Sequence, residues 1–265
     1  MMETKFEKQD FGKRLKSMLK VDFRRAFTMP LIYIMAGISL VLPILILVMT
    51  TMMSGTVMDP VTGVETTVES FTNVWQAIGS VGGTAMSMDL TGMCNINMMY
   101  FLIAVFLCIF VADDFRSGYA KNLFAVRSKK VDYCISKTAV GFVGGVIMIA
   151  AYFVGAMLGG AIAGLSFDTG TAGVGGILAC MAAKVCLAAV FVSIALLFSV
   201  VGKQRLWLSI LGSLAAGMLL FTMIPMMTPL DSSFLNVIMC LVGGALFAVG
   251  LGSVSNVILK KTNLV

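Results

Sequence analysis

The stretch DDFRSGYAKNLFAVRSKKVDYCISK, residues 113–137, decides how this chain is read. It holds six of the 19 basic residues (Arg116, Lys121, Arg127, Lys129, Lys130, Lys137) and three acids (Asp113, Asp114, Asp132), and a long apolar run flanks it on either side. Only 12% of all residues are charged, so a concentration of this kind belongs in water or against a partner.

Outside that segment the composition is that of a protein embedded in lipid. Of the 265 residues 59% are hydrophobic, histidine is absent, and the mean hydropathy is +0.99. Such a chain divides into membrane spans of about 20 residues rather than soluble domains. Six are expected, at residues 31–52, 96–112, 140–163, 174–201, 206–226 and 234–258, with a kink at Pro43 inside the first. The third is rich in glycine (Gly141, Gly144, Gly145, Gly155, Gly159, Gly160). Small residues at that density let helix backbones approach closely, within one subunit or between two.

Charge fixes the expected orientation. The N-terminal segment, the 113–137 loop, the turn GKQR at 202–205 and the C-terminal tail together carry 18 of the 19 basic residues, and the three intervening loops carry none. With six spans, both termini and both basic loops then fall on the cytoplasmic side. The net charge of +6 reflects this asymmetry, and nucleic acid is not an expected partner. The domain plan is a cytoplasmic N-terminus at 1–29, a membrane domain at 30–258 with an outer loop at 54–95, and a cytoplasmic tail at 259–265.

Within residues 11–29, Phe11, Leu15, Met18, Leu19, Ala26 and Phe27 recur at helical spacing among lysines and arginines. The pattern predicts an amphipathic helix lying in the interface, apolar face to lipid, or alternatively packed on the cytoplasmic end of the bundle. The outer loop holds Asp59, Glu65, Glu69 and Asp89, a turn-like DPVTG at 59–63, and an interrupted apolar piece at 74–88 that could be a short or re-entrant helix. In the charged loop itself Phe115, Tyr119, Leu123 and Phe124 form a stripe at i, i+4, i+8 and i+9. This predicts a short amphipathic helix that presents its aromatics to a partner or tucks them under the bundle.

Chemistry-bearing patterns are few. The chain holds no HExxH, GxSxG or GxxxxGK[ST] motif, and an enzymatic role is not expected. The six cysteines lack metal-ligand spacing and read as small core hydrophobes rather than a metal site. All 13 acids can be placed outside the hydrocarbon, which disfavours an ion-coupled carrier, since those place carboxylates in their spans. Lys184, eleven residues into the fourth span, is the one buried cation expected. It is either a paired or snorkelling lysine, with Asp89 or Asp168 reaching toward it, or one lining a transport path or a subunit interface.

The order of these features resembles the membrane subunit of type-2 ABC exporters, the permeases of bacterial drug, lantibiotic and peptide-toxin export. The residues that carry the resemblance are D114-F115-R116-S117-G118-Y119-A120-K121-N122-L123, then Arg127, then Tyr133 and Lys137, together with the amphipathic segment before the first span. The resemblance implies an all-α fold with an N-terminal elbow helix and a coupling helix between the second and third spans, resting in a groove of a separate ATPase. Asp114, Gly118, Lys121, Arg127 and Lys137 occupy the matching positions, with Phe115, Tyr119 and Leu123 facing the ATPase. It further implies a bacterial plasma membrane location, a soluble ABC ATPase dimer that binds ATP and Mg, and a second permease subunit, identical in preference to different. The implied cargo is hydrophobic or amphipathic, such as a peptide. The chain departs from the family in carrying Asp114 where glutamate is usual and in its long 54–95 region. The competing readings are an ion-coupled or passive carrier and a non-transporting sensor or immunity protein.

Overall fold

A computed structural model describes residues 11–53, 55–58, 65–68, 71–79, 95–126 and 130–261. The turn at 59–63, Glu69, Asp89, Cys94, Arg127, Lys129 and most of the interrupted apolar piece lie outside the described residues. The described chain is a multi-pass, mostly helical membrane protein. Its helices are α1 (Phe11–Thr28), α2 (Pro30–Met53), α3 (Met99–Arg116), α4 (Tyr119–Val126), α5 (Val131–Ala163), α6 (Gly173–Gly202), α7 (Leu206–Phe221), α8 (Ile224–Met227) and α9 (Phe234–Lys261). A two-stranded antiparallel ribbon, β1 (Gly55–Met58) and β2 (Glu65–Val68), pairs Gly55 with Val68 and Met58 with Glu65. These strands were not expected from the sequence, although GTVM and ETTV carry the β-branched residues that favour pairing.

Among the described residues five helices are long and apolar enough to cross a bilayer: α2, α3, α5, α6 and α9. The region expected as a fifth continuous span is instead broken. α7 ends at Phe221 after 16 residues, about 24 Å at 1.5 Å per residue and short of a hydrocarbon core of about 30 Å. Pro225 then sits in the first turn of α8. A proline ring there cannot continue the incoming helix, because it lacks the N–H and crowds the preceding turn. α3 runs four residues past its expected end, and α5 begins nine residues early and spans 33 residues, about 50 Å. The charged segment is therefore not a free loop: its two ends are the terminal turns of α3 and α5.

α3 and α6 form the buried centre, with α2 packed on α5 and α9 on α6. Close approach at glycine builds the α2–α5 contact. A methyl group at Gly159 would lie 2.8 Å from the Ile44 Cα, and one at Gly155 would meet the Leu40 carbonyl and the Pro43 ring. Gly141, Gly144 and Gly145 accept Leu107, Phe106 and Ile103 of α3 in the same way. These glycines thus serve packing within one chain. α2 continues as a helix through Pro43, with Ser39 Oγ donating to the Met35 carbonyl at 2.8 Å.

The two ends of the bundle differ in chemistry. At one, α1, the end of α3, α4, the start of α5, the α6–α7 turn and the end of α9 gather, and Lys130 Nζ donates to the Leu259 carbonyl at 2.5 Å. At the other, the residue 71–79 segment is stitched to the α5–α6 turn. Val74 N–H donates to the Ser166 carbonyl at 3.1 Å, Trp75 Nε1 to Phe167 O at 3.1 Å and Asn73 Nδ2 to Asp168 O at 2.6 Å.

Candidate functional site

The basic end is organised by a buried ion network that joins three helices. Lys137, on the second turn of α5, lies 2.6 Å from Asp114 Oδ2 of α3 and 2.9 Å from Asp22 Oδ1 of α1, and all three side chains are fully buried. Arg25 of α1 donates through Nη1 to Asp114 Oδ1 at 2.6 Å and through Nη2 to the more exposed Asp113 at 3.3 Å. The remaining carboxylate capacity is filled by hydroxyls: Tyr133 donates to Asp114 Oδ2 at 3.0 Å and Ser136 to Asp22 Oδ2 at 2.6 Å. Two buried carboxylates thus face two cations with their lone pairs hydrogen-bonded, the condition under which buried charge is tolerated. A second ion pair, Arg14 to Asp132 at 3.1 Å, fastens the start of α1 to the start of α5.

Aromatic rings close the network. Phe110 lies 4.3 Å from Lys137 Nζ, and Tyr119, the first residue of α4, lies 4.3 Å under the Arg25 guanidinium, both within cation–π range. Burial pushes the Tyr119 phenol up, the charges of Asp22 and Asp114 add to the shift, and Arg25 opposes it. For Arg25, burial is the largest influence and acts to lower its pKa, but Asp114, Tyr119 and Asp22 together outweigh it, and the guanidinium is held above its ordinary value. Both groups keep the protonation state that the network requires.

The turn into α4 depends on Gly118. α3 ends at Arg116, Ser117 N–H donates to the Asp113 carbonyl at 2.9 Å, and Gly118 follows at φ +74°. That left-handed geometry is strained for any residue with a Cβ. It reverses the chain so that Asn122 N–H closes onto the Gly118 carbonyl at 3.0 Å.

Placement of the aromatic stripe follows from this turn and corrects one expectation. Phe115 is 7% exposed and belongs to the core, so it does not face outward. Tyr119 is committed to Arg25, Leu123 is half-buried against the core, and Phe124 packs edge-on against Tyr133 at 5.2 Å. The stripe tucks under the bundle, and the face α4 leaves in solvent carries Lys121, Asn122 and Ala125, with Arg116 and Ser117 beside it. Of the residues singled out in the sequence, Asp114 and Lys137 meet directly, Gly118 and Tyr119 adjoin them, and Lys121 stands apart on the surface. Arg127 lies outside the described residues.

Asp22 and Arg25 were missed. The signal was present: Asp22 is the one acid between Asp10 and Asp59 and shares a helical face with Met18 and Ala26. Those three are the buried residues of α1. α1 therefore packs on the bundle with that face, while Phe11, Val21 and Phe27 remain exposed among Lys13, Lys16, Lys20 and Arg24.

Lys184 is 1% exposed in α6. Its ammonium donates to Asn97 Oδ1 at 2.7 Å and Thr228 Oγ1 at 3.0 Å. Among the described residues its partners are neutral oxygens; Asp168 is exposed and bonded elsewhere. Asn97 precedes α3 in a short 3-10 turn, and Thr228 ends α8, with its carbonyl accepting from Cys180 Sγ at 3.5 Å. Tyr100 OH donates to the Lys184 carbonyl at 3.0 Å and its ring stacks on Phe191 at 4.6 Å. Lys184 thereby ties the broken α7–α8 region to the central helices. Among the described residues no group of three or more His, Cys, Asp or Glu side chains is arranged to hold a metal ion.

No family model, curated protein or solved structure matches this chain significantly.

Proposed function

We propose that this chain is the permease subunit of an ATP-driven exporter, with six spans counting the broken α7–α8 segment and with the basic end in the cytoplasm. A separate ATPase would push on α4, and the moving parts would be the spans that α4 joins. The observation that carries this reading is the buried network of Asp22, Arg25, Asp114 and Lys137. A short helix on a slack loop would dissipate a push. Here α4 is attached through Tyr119 to Arg25 and through Phe124 to Tyr133, and those residues are locked to the ends of α1, α3 and α5. Rigid packed elements of this kind are what carries displacement between distant sites.

The contact face would be Arg116, Lys121, Asn122 and Ala125, with Asp114, Gly118 and Lys137 holding the helix from behind and Phe115, Tyr119 and Leu123 filling its inner side. ATP and Mg would be held by the partner, and a second permease subunit would complete the path. Lys184 and the α7–α8 break mark where cargo would pass.

The test is purification of the full chain from its native membrane in mild detergent. A nucleotide-hydrolysing subunit is expected in stoichiometric amount. Lys121→Glu combined with Arg116→Glu should release it, while Lys203→Glu on the other basic turn should not. Absence of any such subunit, or equal retention by all variants, would refute the coupling reading.

A further inference from the structure

A cavity of about 100 Å³ lies between α6, α7, α8 and α9, walled by Leu187, Phe191, Leu220, Met227, Cys240 and Phe247, and its lining is almost wholly apolar. A dry pocket of on the order of 150 Å³ takes a benzene-sized group, so this one suits the end of an acyl chain or one branched side chain. Its mouth is formed by residues on the outer surface of the bundle: Met223, Met227 and Phe247 are each more than a third exposed. In a bilayer that surface meets lipid, so an occupant enters sideways from the membrane.

Lys184 is outside the cavity wall and tied to it through its partner Thr228. It is bonded to Thr228; the next residue, Met227, lines the cavity, and the Met227 carbonyl accepts from Cys240 Sγ at 3.9 Å, another lining group. Along α6, Leu187 and Phe191 lie one and two turns nearer the basic end than Lys184. A ligand spanning both would point its polar end away from the basic end and its apolar end inward, as an amphiphile of the opposite leaflet does. The ammonium is held only by neutral oxygens among the described residues, and a carboxylate would compete for it with a charge-assisted bond.

We infer that Lys184 and the α6–α9 cavity form a binding site for a long-chain monocarboxylate drawn from the bilayer, with the carboxylate on Lys184, a few methylenes in the cavity and the rest of the chain leaving through its mouth into lipid. As the cargo site it rests on the exporter reading. As a binding site it does not, because binding is read on the chain alone.

The experiment uses the purified full chain in nanodiscs of neutral lipid, with a diazirine-bearing fatty acid and the primary alcohol of equal length as probes. The acid is expected to bind about tenfold tighter than the alcohol or better, as a hydrogen bond to a buried charge provides, and to label residues around Phe191 and Phe247. Lys184→Met should erase the preference and leave the alcohol unchanged, Lys184→Arg should keep it, and Gly243→Leu at the cavity wall should weaken both probes. Should the methionine variant not fold, Thr228→Val is read instead. By removing one competing acceptor it should tighten acid binding, and no change would overturn the proposal. Equal binding of acid and alcohol, labelling elsewhere, or an apolar peptide with a free C-terminus that binds more tightly than the fatty acid would each overturn it. Loss of this site with an intact ATPase contact would refute the inference and spare the exporter reading; the reverse result would do the opposite.

Discussion

Removing the charge of Lys137 should be among the most damaging single changes to this chain. Its ammonium sits between Asp22 and Asp114 at 2.9 and 2.6 Å with none of the three groups in contact with solvent. In Lys137→Met the methylene volume is nearly kept, but the two buried carboxylates are then left with the single guanidinium of Arg25, which pairs with Asp114 and the more exposed Asp113 and not with Asp22. Asp22 is left with the Ser136 hydroxyl alone. Breaking a buried pair costs about 3–5 kcal/mol because it strands the partner charge. Asp22→Asn leaves Lys137 its second carboxylate, Asp114 at 2.6 Å, and should cost less, about 1–3 kcal/mol. The double variant removes one charge of each sign and leaves Asp114 paired with Arg25, so its loss should fall short of the sum of the singles by about 1–3 kcal/mol, the range seen for residues sharing one network. The measurement is reversible unfolding in mixed micelles for all four proteins of the cycle. A Lys137→Met loss below about 1 kcal/mol, or strictly additive singles, would show that the network does not hold these helices together.

Three further outcomes are expected. Gly159→Val should lower stability by about 1–3 kcal/mol, since the Ile44 backbone that the new side chain meets cannot rotate away, and the same assay reads it; a neutral result would mean α2 and α5 do not touch there. Gly118→Ala should cost about 1–2 kcal/mol through its left-handed φ alone, with no steric contribution because nothing lies within 4 Å of the added methyl, and Gly118→Asn should cost less. Lys121→Glu should leave unfolding within about 0.5 kcal/mol of wild type, as for an exposed surface position, while lowering ATP hydrolysis by the assembled complex; equal loss of stability would place Lys121 in the fold rather than on a contact face.

Much of the fold was legible along the chain. Twenty-residue apolar runs, their glycines and the confinement of basic residues to alternate loops are local signals, because the bilayer acts on each segment independently of its neighbours. The broken α7–α8 region was readable in principle from Pro225, which ends a helix wherever it stands in one. The stripe of Phe115, Tyr119 and Leu123 gave the helix but not its direction, because period alone says that one face is apolar and not whether bundle or partner covers it.

What only the tertiary structure decided is which charges meet. Asp22 and Lys137 are separated by 115 positions and Lys184 and Asn97 by 87. Their pairing depends on which helix ends are neighbours, a property of packing that no local pattern encodes. The sequence by itself determined that residues 113–137 carry charge between two spans. The fold turned Asp114, Asp132 and Lys137 inward and left Arg116 and Lys121 on the surface, because a buried carboxylate or ammonium must find its opposite, and those pairings bind α1, α3 and α5 together.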